Sequence, residues 1–455
     1  MMKKYDLVIV GSGPGGYVAA IKAAQENLKV ALVEKENIGG ICLNHGCIPT
    51  KAILKSAKTY LDFKNAKNYG ITVKKDSISV ELDDIIKRKN KVVKQLTGGV
   101  SFLLKKNKVD VYNGYGTVIN KNEVKVNDEV LNAKNIIIAT GGTAFVPPIK
   151  GAKEAYENGF LLTSKELLNV TKMPKRITIV GGGVIGVEFA TIFNSFDSEV
   201  TILEMADNIV NNMDQDIITD YTKALKSSGV NVITNAKVTE IGTSSVTYLK
   251  DEKAEKVATD LVLMAVGIKP NVEAFKDLDI KLNNGGVIVN EFMQTNISNV
   301  YAIGDVTGEL MLAHVASKEA LIAVDHILGG TQKMDYKAIP KAVYGMPEIA
   351  SVGLTEQEAK SKNINYTVSK FPLAGNGKAL ADGQTVGFIK LIKGTELDEI
   401  LGAHILAYNA VDILSEVVVS INSELTNFDL ADAVHPHPSL SEIVMEAAMK
   451  KAIHI

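Results

Sequence analysis

The first apolar run of the chain, Tyr5–Val10, has the composition of a buried strand, and the glycine-rich turn Gly11–Gly16 follows it directly. A helical stretch then extends from Tyr17 to Asn27, and a second apolar run, Lys29–Val33, ends in Glu34. Strand, glycine turn, helix, strand and acidic residue in this order predict a βαβ unit with two parallel strands.

The same pattern returns much later in the chain. Arg176–Val180 precedes Gly181–Gly186, a helix is predicted through about Asn194, and the strand Val200–Leu203 ends in Glu204. The first glycine and the acidic residue are 23 positions apart in both copies. One such motif could be only a turn between a strand and a helix, but two copies that agree in every element favour two dinucleotide-binding sites.

Each residue of the motif has a separate physical role. The first glycine permits a tight turn, the second lets the backbone approach a pyrophosphate, and the third packs the helix on the strand. The helix N-terminus attracts phosphates, and the acidic residue accepts hydrogen bonds from ribose hydroxyls. Glu204 is followed by Met205, Ala206 and Asp207 rather than by a basic residue, which favours NAD over NADP at the second site.

The chain has two cysteines, Cys42 and Cys47, and they lie directly after the first dinucleotide pattern. A structural disulfide across so short a loop would remove little chain entropy. A structural zinc site usually needs four ligands, and no second cysteine pair exists, so no metal site is predicted. A redox pair is the favoured interpretation, with a flavin as the expected carrier between the thiols and NAD, because a disulfide does not easily accept a hydride from nicotinamide.

Two later segments complete the first nucleotide-binding domain. Asn135–Gly142 is predicted to be a buried strand that ends in a glycine turn, and Asn299–Asp305 has the same design. Asp305 is placed to bind the ribityl chain of a flavin, although an aspartate after glycine can also be only a turn residue. The predicted division is an FAD-binding domain in two parts, 1–144 and 267–334, interrupted by an NAD-binding domain, 145–266.

The pattern changes in residues 335–455, which carry no nucleotide motif. Alternating strands such as Phe388–Ile392 are predicted there, with helices after Asp412 and Ser439. The predicted fold class is therefore α/β, with two Rossmann-like dinucleotide-binding domains, for FAD and for NAD, and a C-terminal α+β domain.

Composition excludes several other classes. At 455 residues, with 46% hydrophobic and 22% charged residues, the chain is typical of a soluble globular protein. Its net charge of −2 gives no reason to expect nucleic acid or an anionic membrane as a partner. The apolar runs are too short to span a bilayer and the N-terminus does not resemble a signal peptide, so a cytoplasmic location is expected.

These motifs resemble those of the pyridine nucleotide–disulfide oxidoreductases over nearly the whole chain and in the family's order. The C-terminal domain would then be the dimerisation domain. The chain departs from the usual pattern at Gly345, where the family usually has Thr. The residues that carry the resemblance are the two glycine runs, Gly40–Lys51, Ala139–Gly141, Gly304-Asp305, Met311–His314 and His435–Glu442.

The resemblance implies a set of site residues. The resemblance implies that Lys51 pairs with Glu188, whereas the residues alone favour a solvated helix charge for Glu188. The implied catalytic residues are Cys42, Cys47, His437 and Glu442. The implied cofactor contacts are Gly11, Gly13, Gly16, Glu34, Lys35, Gly40, Cys42, Lys51, Gly116, Thr140, Gly141, Asp305, Met311, Ala313, Gly181, Gly183, Gly186, Glu188, Glu204, Val238 and Gly267.

The family mechanism assigns Cys42 to exchange with substrate and Cys47 to contact the flavin. A helix predicted to begin around Pro49 would stabilise a Cys47 thiolate. His437 would be the acid/base, held by Glu442, and in the family it reaches the thiols of the other subunit. Two alternatives remain open: Glu442 could be part of a capping box that begins at Ser439, and His435 competes with His437.

The lipoamide-oxidising branch is the most similar one, because of the segments Cys42–Lys51 and His435–Glu442. The implied function is oxidation of protein-bound dihydrolipoamide, with hydride transfer to NAD+. The implied partners are a second copy, the lipoyl domains, and the acyltransferase core of a 2-oxo acid, acetoin or glycine-cleavage complex. The alternatives are an NADPH-dependent disulfide or metal-ion reductase, an NADH oxidase, and a scaffold subunit.

Overall fold

The computed structural model describes residues 3–74 and 78–449. The first segment of the fold extends to residue 144. In chain order, its α-helices and strands are β1 (Lys3–Val10), α1 (Pro14–Gln25), β2 (Val30–Glu34), α2 (Gly40–His45), α3 (Cys47–Lys64), α4 (Leu82–Lys106), β3 (Asp110–Asn113), β4 (Gly116–Asn120), β5 (Glu123–Val126), β6 (Glu129–Ile138) and β7 (Gly142–Ala144).

Strand β1 lies at the centre of the first sheet, whose order is β3-β2-β1-β6-β5-β4. It pairs in parallel with β2 and β6, so that Leu7 lies opposite Val30 on one side and Asn135 on the other. Its apolar run is buried because helices cover the sheet. Helix α1 packs closely there, since its buried face carries the small residues Ala19, Ala20 and Ala23.

The second segment, from about residue 145 to residue 266, contains a second parallel sheet. Its elements are α5 (Ala152–Glu157), β8 (Leu161–Leu162), α6 (Ser164–Leu167), β9 (Arg176–Val180), α7 (Val184–Ser195), β10 (Glu199–Leu203), α8 (Gln215–Ser227), β11 (Asn231–Ile233), β12 (Lys237–Ile241), β13 (Ser245–Lys250), β14 (Lys253–Ala258) and β15 (Leu261–Met264). The parallel sheet has the order β11-β10-β9-β15-β8, and β12, β13 and β14 form a separate antiparallel sheet.

The third segment returns to the first sheet. Its elements are β16 (Ile268–Pro270), β17 (Leu282–Asn283), β18 (Gly286–Val287), β19 (Val300–Ala302) and α9 (Ala313–Ile327). Strand β19 pairs in parallel with β6, placing Val300 opposite Ile136, and β16 pairs with β7. Residues about 160 positions apart in sequence therefore share one sheet.

The last segment forms an antiparallel sheet with the order β20-β21-β24-β23-β22. Its elements are β20 (Lys341–Val343), β21 (Glu348–Gly353), α10 (Glu356–Ser361), β22 (Tyr366–Pro372), α11 (Gly377–Ala381), β23 (Phe388–Gly394), β24 (Ile400–Ala407), α12 (Ala410–Ile413), α13 (Ser415–Asn422), α14 (Asn427–Asp432) and α15 (Glu442–Met449).

The predicted α/β fold class is confirmed, and the predicted strands of both βαβ units lie within one or two residues of those observed. The expected alternation in Phe388–Ile392 is wrong, because every residue of β23 is buried. Phe388 packs into the core shared with the second parallel sheet, whereas Ile389 and Leu391 pack into the C-terminal core. The sheet is thus covered on both faces. The proposed domain boundaries stay predictions.

Helix α3 begins at Cys47, two residues earlier than expected, and neither α2 nor the long helix α4 is predicted by the sequence pattern. In the part of the chain that the structure describes, no helix combines the length and the apolar character that crossing a membrane requires.

Candidate active site

The first glycine turn has the geometry of a pyrophosphate cradle. Gly11 has φ +104, and a side chain on Gly16 would overlap the carbonyl oxygen of Gly11, so both positions require glycine. A Cβ on Gly13 would have no described atom within 4 Å, which leaves open space above the N-terminus of α1. Glu34 accepts hydrogen bonds from the Ser12 N–H at 2.9 Å and from the Ser12 hydroxyl at 2.6 Å.

The second turn repeats this geometry closely. Gly181 has φ +108, a side chain on Gly186 would overlap the Gly181 carbonyl oxygen, and a Cβ on Gly183 would again find no described atom within 4 Å. Glu204 accepts hydrogen bonds from the N–H groups of Gly182, at 2.6 Å, and Ala206, at 2.7 Å. Both turns therefore fit a dinucleotide: each has an open middle glycine, a helix N-terminus and a carboxylate at the end of the neighbouring strand.

Helix α2 brings the cysteines to the first turn. Gly39 donates its N–H to the Ser12 carbonyl at 3.1 Å, and Gly40, with φ +59, lies so close to Gly13 that a Cβ would meet its Cα at 2.6 Å. The Asn44 side chain fixes the other side of α2 by donating to the Ile38 and Gly40 carbonyls. Cys42 lies within this helix, so the thiols are held beside the first cradle.

Cys42 and Cys47 are half-buried free thiols that interact with each other. The Cys42 thiol donates a hydrogen bond to Cys47, and this bond, together with the positive charge of Lys51, lowers the pKa of Cys47 to about 7. Because Cys42 is the donor and is itself largely buried, its own pKa is raised. Cys47 is also the first residue of α3, where unpaired N–H groups favour an anion. The reduced pair is therefore arranged to hold its negative charge on Cys47.

Lys51 connects the thiols to the second parallel sheet. Its Nζ lies 2.9 and 2.8 Å from the two carboxylate oxygens of Glu188, a residue of α7. The Glu188 side chain is only 4% exposed, so its interpretation as a solvated helix charge is wrong. The Tyr344 N–H also donates to Glu188, at 2.9 Å, and Lys51 Nζ lies 4.5 Å from the centre of the Tyr344 ring.

The departure at Gly345 has a local explanation. A side chain there would overlap the hydroxyl of Tyr221, which is fully buried in α8. The phenol fills the space that a threonine would need.

Asp305 lies at the turn after β19, close to β7, since a Cβ on Gly142 would lie 3.5 Å from the Asp305 Cβ. Burial raises the pKa of Asp305. The neighbouring Gly304 has φ +72, and its N–H donates to the carboxylate of Glu319 at 2.7 Å. Tyr336 donates its hydroxyl to the other Glu319 oxygen at 2.8 Å. Because Glu319 is only 1% exposed, its pKa is raised to about 7.

Glu319 is a residue of this site that the sequence pattern did not predict. The available signal is its position in α9, three residues after Ala316 and four before Ala323, on the buried apolar face of the helix. Tyr17 was not predicted either: it follows the first glycine turn, and burial together with Cys42 and Cys47 raises its pKa.

His437 and Glu442 form a pair near the C-terminus. Nδ1 of His437 lies 2.8 Å from one carboxylate oxygen of Glu442, while the Ser439 N–H donates to the other at 2.8 Å. Glu442 thus contacts both the imidazole and the turn before α15. Because Glu442 is the first residue of α15 and the Ser439 hydroxyl bonds to that of Ser441, the described contacts include only the Ser439 N–H half of the expected capping box. The catalytic role of the pair stays a prediction. The Ser439 N–H and His437 together lower the pKa of Glu442.

The two histidines of the motif differ in accessibility. The His437 side chain is 78% exposed, whereas that of His435 is 6% exposed and is paired with Glu416 at 3.2 Å. Within the described single chain, no hydrogen bond joins His437 to either cysteine.

The remaining expected cofactor contacts lie on several different elements, and their role stays a prediction. Thr140 donates its hydroxyl to the Asn271 carbonyl at 2.7 Å, which ties β6 to the segment after β16. The others are placed as follows: Lys35 is exposed after β2, Gly116 is buried at the start of β4, Gly141 follows β6, Met311 and Ala313 are half-buried at the start of α9, Val238 is half-buried in β12, and Gly267 lies between β15 and β16.

Two dinucleotide cradles on one chain, with a pair of redox thiols beside the first, define a flavin- and nicotinamide-dependent disulfide oxidoreductase. Residues 5–320 match the family model described as pyridine nucleotide-disulphide oxidoreductase, and residues 339–448 match the dimerisation domain of that family. The chain belongs to the pyridine nucleotide-disulphide oxidoreductase family, whose members use FAD and NAD(H).

Several curated relatives carry one name. A dihydrolipoyl dehydrogenase from Acholeplasma laidlawii is 55% identical over 337 residues, which are 74% of this chain and 100% of the relative. A dihydrolipoyl dehydrogenase from Bacillus subtilis (strain 168) is 41% identical and covers 100% of both chains. Among solved structures, the HOCl-induced flavoprotein disulfide reductase RclA from Escherichia coli is 30% identical, with a TM-score of 0.87 over 98% of this chain and 99% of that one.

Proposed function

We propose that this protein is a dihydrolipoyl dehydrogenase, which oxidises protein-bound dihydrolipoyl groups through a Cys42–Cys47 disulfide and transfers hydride to NAD+. The observation that carries the proposal is the attachment of the thiol pair to the first cradle, with a pKa of about 7 at Cys47. The names of the Acholeplasma and Bacillus relatives support it further.

The first cradle, with Gly11, Gly13 and Glu34, would hold FAD, and the second, with Gly183 and Glu204, would hold NAD+. Held at the first cradle, FAD would supply the two-electron chemistry that links the thiols to NAD+. Lys51 and Glu188 lie between the two cradles and would orient both cofactors.

The thiol chemistry follows from the positions of the two sulfur atoms. A thiolate of the substrate attacks Sγ of Cys42, a new S–S bond forms, and Cys47 leaves as the thiolate that its low pKa favours. The second thiol of the substrate then attacks the substrate's own sulfur atom in the mixed disulfide. This closes the lipoyl ring and releases Cys42 as a thiol.

His437 would accept the proton of the attacking substrate thiol, and Glu442, at 2.8 Å from Nδ1, would stabilise the imidazolium that results. Because His437 is exposed and makes no hydrogen bond to a cysteine within the described single chain, it would serve the thiols of a second subunit. The match to a dimerisation domain supports this arrangement.

We further propose the partners and the domain boundaries that go with this activity. The partners would be lipoyl domains and the acyltransferase core of a 2-oxo acid, acetoin or glycine-cleavage complex, in the cytoplasm. The FAD-binding parts would be residues 1–144 and 267–334, the NAD-binding domain 145–266 and the interface domain 335–455.

The test is reduction of NAD+ by dihydrolipoamide with the wild-type protein and the Cys42→Ser variant. We expect turnover with NAD+, little with NADP+, and none with the variant. Equal rates with NADP+, or an active variant, would contradict the proposal. A His437→Gln variant distinguishes this function from the second candidate, an NADH oxidase. In a dihydrolipoyl dehydrogenase the variant should lose dithiol turnover, whereas in an oxidase that passes electrons to oxygen it would keep its rate.

A further inference from the structure

The positive charge of the chain is concentrated in the segment that follows the redox pair. Residues 47–106 contain 14 Lys and Arg against 5 Asp and Glu, whereas the other 395 residues contain 36 against 47. The net charge of −2 is therefore the sum of a basic helical segment and an acidic remainder of the chain. Such an asymmetry points to an acidic partner at this segment.

Helix α4 presents much of this charge on one side. Lys91, Lys94, Lys105 and Lys106 are exposed, and the helical period places them opposite the buried Lys89 and Leu104. Phe102 lies among them and is 62% exposed. We refer to these four lysines and Phe102 as the basic face of α4.

The lysines of the basic face lack ion-pair partners within residues 3–74 and 78–449. Many other surface lysines are paired, such as Lys22 with Glu26 and Lys150 with Glu240, and on α4 itself Lys87 is paired with Asp84. A solvated face is the usual state of surface lysines. An exposed aromatic ring among several unpaired like charges is instead typical of a docking surface, because the ring supplies an apolar anchor and the charges select the partner.

The helix that carries the basic face packs beside the two helices that hold the thiols. Helix α4 packs against α3, which begins at Cys47, and against α2, which carries Cys42. Arg88 fixes this packing by donating to the Ala52 carbonyl at 2.8 Å. Ile41, the neighbour of Cys42, is 49% exposed. A domain seated on α4 would thus stand beside the exposed end of the redox helix.

We propose that the basic face of α4 docks the acidic surface of the carrier domain that brings the dihydrolipoyl arm to Cys42. This inference rests on the proposed function, because it names how that substrate is recognised. Surface charges of this kind act mainly on the rate of encounter, which suits a substrate domain that must leave after each turnover.

The test compares two substrates on one variant. The holoenzyme with Lys91→Glu and Lys94→Glu is assayed with an isolated, reduced lipoyl domain of net negative charge and with free dihydrolipoamide. We expect kcat/KM for the lipoyl domain to fall about tenfold at about 50 mM salt and to recover partly at about 300 mM, where the charges are screened. Turnover of free dihydrolipoamide should stay within about twofold of wild type.

A matched control carries the same change in net charge elsewhere. Lys253 and Lys256 are exposed on β14, in the antiparallel sheet of the second segment. The Lys253→Glu/Lys256→Glu protein should keep wild-type kinetics with both substrates. If it loses as much activity toward the lipoyl domain as the α4 variant, only the total charge matters and the docking proposal is wrong.

Other outcomes also decide the proposal. Unchanged kinetics of the α4 variant with the lipoyl domain would overturn it. So would dissociation of the dimer in gel filtration, which would make the basic face an interface between copies. Wild-type binding to phosphatidylglycerol vesicles that the α4 variant loses, with unchanged lipoyl-domain kinetics, would assign the face to a membrane. If wild-type protein oxidises neither dithiol substrate, the proposed function itself fails.

Discussion

The two glycine turns share one sequence signature but differ in how they are covered. In the first, α2 packs against the turn beside its open space: Gly40 lies on Gly13, Gly39 donates to Ser12, and Glu34 is buried. In the second, Gly183 is exposed and Met205, the residue after Glu204, is 70% exposed.

This difference fits two kinds of cofactor use. A covered cradle suits a group that stays bound through many turnovers, whereas an open one suits a nucleotide that must enter and leave in each cycle. The signature therefore specifies the ligand class, and the surrounding elements decide how fast the ligand exchanges.

The strongest test of the difference between the two cradles is to put a side chain on the third glycine of each turn. In Gly16→Val and in Gly186→Val the new side chain would overlap the carbonyl oxygen of the first glycine and displace the turn. A displacement of about 1 Å at a reacting site can cost about 100-fold in rate. We expect Gly16→Val to purify without flavin, and Gly186→Val to keep its flavin but lose about 100-fold in NAD+ reduction.

Flavin absorbance of the purified proteins and anaerobic reduction of the flavin by dihydrolipoamide check both variants. The Gly186→Val protein should still be reduced by the dithiol. If it loses flavin as readily as Gly16→Val does, the two cradles are not independent and the comparison fails.

The next test concerns the two acidic residues. Glu34→Gln leaves an amide among three donors, the Ser12 N–H, the Ser12 hydroxyl and the Glu36 N–H, so the flavin site should loosen. Glu204→Gln weakens the bonds from Gly182 and Ala206 at the open site. Hydrogen bonds to charged groups contribute about 1.5–3 kcal/mol, which predicts a KM for NAD+ about ten times higher for Glu204→Gln.

Flavin release and NAD+ kinetics separate these effects. Glu34→Gln should lose flavin in dilution experiments while keeping its KM for NAD+. Glu204→Gln should keep its flavin and show the higher KM for NAD+. An equal rise of KM in both variants would mean that the carboxylates act on overall stability.

Much of this comparison follows from the sequence, because strand, turn and helix are encoded by neighbouring residues. The glycines, Glu34 and Glu204 could be predicted for that reason, and the pairing of Lys51 with Glu188 followed from the family resemblance. The burial of Glu188, the contact of Glu319 with Gly304 and the contact of Gly345 with Tyr221 join distant segments. Local pattern contains no information on such contacts.

The same limit applies to the ion cluster around Lys390, a 1% exposed residue of β23. Its Nζ lies 2.9 Å from Asp214 and 2.7 Å from Glu356. Each of these charged residues looks like surface in the sequence, and only the packing of the C-terminal sheet against the second segment brings them together.

A third prediction tests a feature that only the first turn has, its attached thiols. Lys51 lowers the pKa of Cys47, so in the reduced protein the thiolate should persist on acidification down to about pH 7. Lys51→Met removes this charge, and the midpoint should rise by about one unit, equivalent to about 1.4 kcal/mol. A pH titration of the thiolate-to-flavin absorbance band in the two-electron-reduced protein measures the midpoint, and Lys55→Met, an exposed neighbour on the same helix, is the control.

An unchanged midpoint in Lys51→Met would mean that the Cys42 hydrogen bond and the helix N-terminus stabilise the thiolate without Lys51. A lower midpoint would contradict the assigned sign of the interaction.

The smallest expected effect on activity concerns Glu319, which supports the Gly304 turn beside the first cradle. Its pKa is raised by burial from an ordinary value of 4.5 to about 7. The folded protein therefore holds a proton that the unfolded chain releases, and the resulting stability is complete below about pH 4.5 and lost as the pH rises through 7. Glu319→Gln keeps an acceptor for Gly304 and a polar group for Tyr336 but cannot ionise.

We expect Glu319→Gln to lie within about 1 °C of wild type near pH 5 and to melt roughly 2–3 °C higher at pH 8, which corresponds to about 2–3 kcal/mol. Thermal unfolding of the holoenzyme at the two pH values measures this difference, with flavin content as a check on the site. Tyr336→Phe is the opposing control: it removes a hydrogen bond that stabilises the carboxylate, so its melting temperature should fall more steeply between pH 5 and pH 8. If the melting temperatures of all three proteins depend on pH in the same way, Glu319 does not titrate in this range. The packing of α2 on the first turn would then be the main difference between the two cradles.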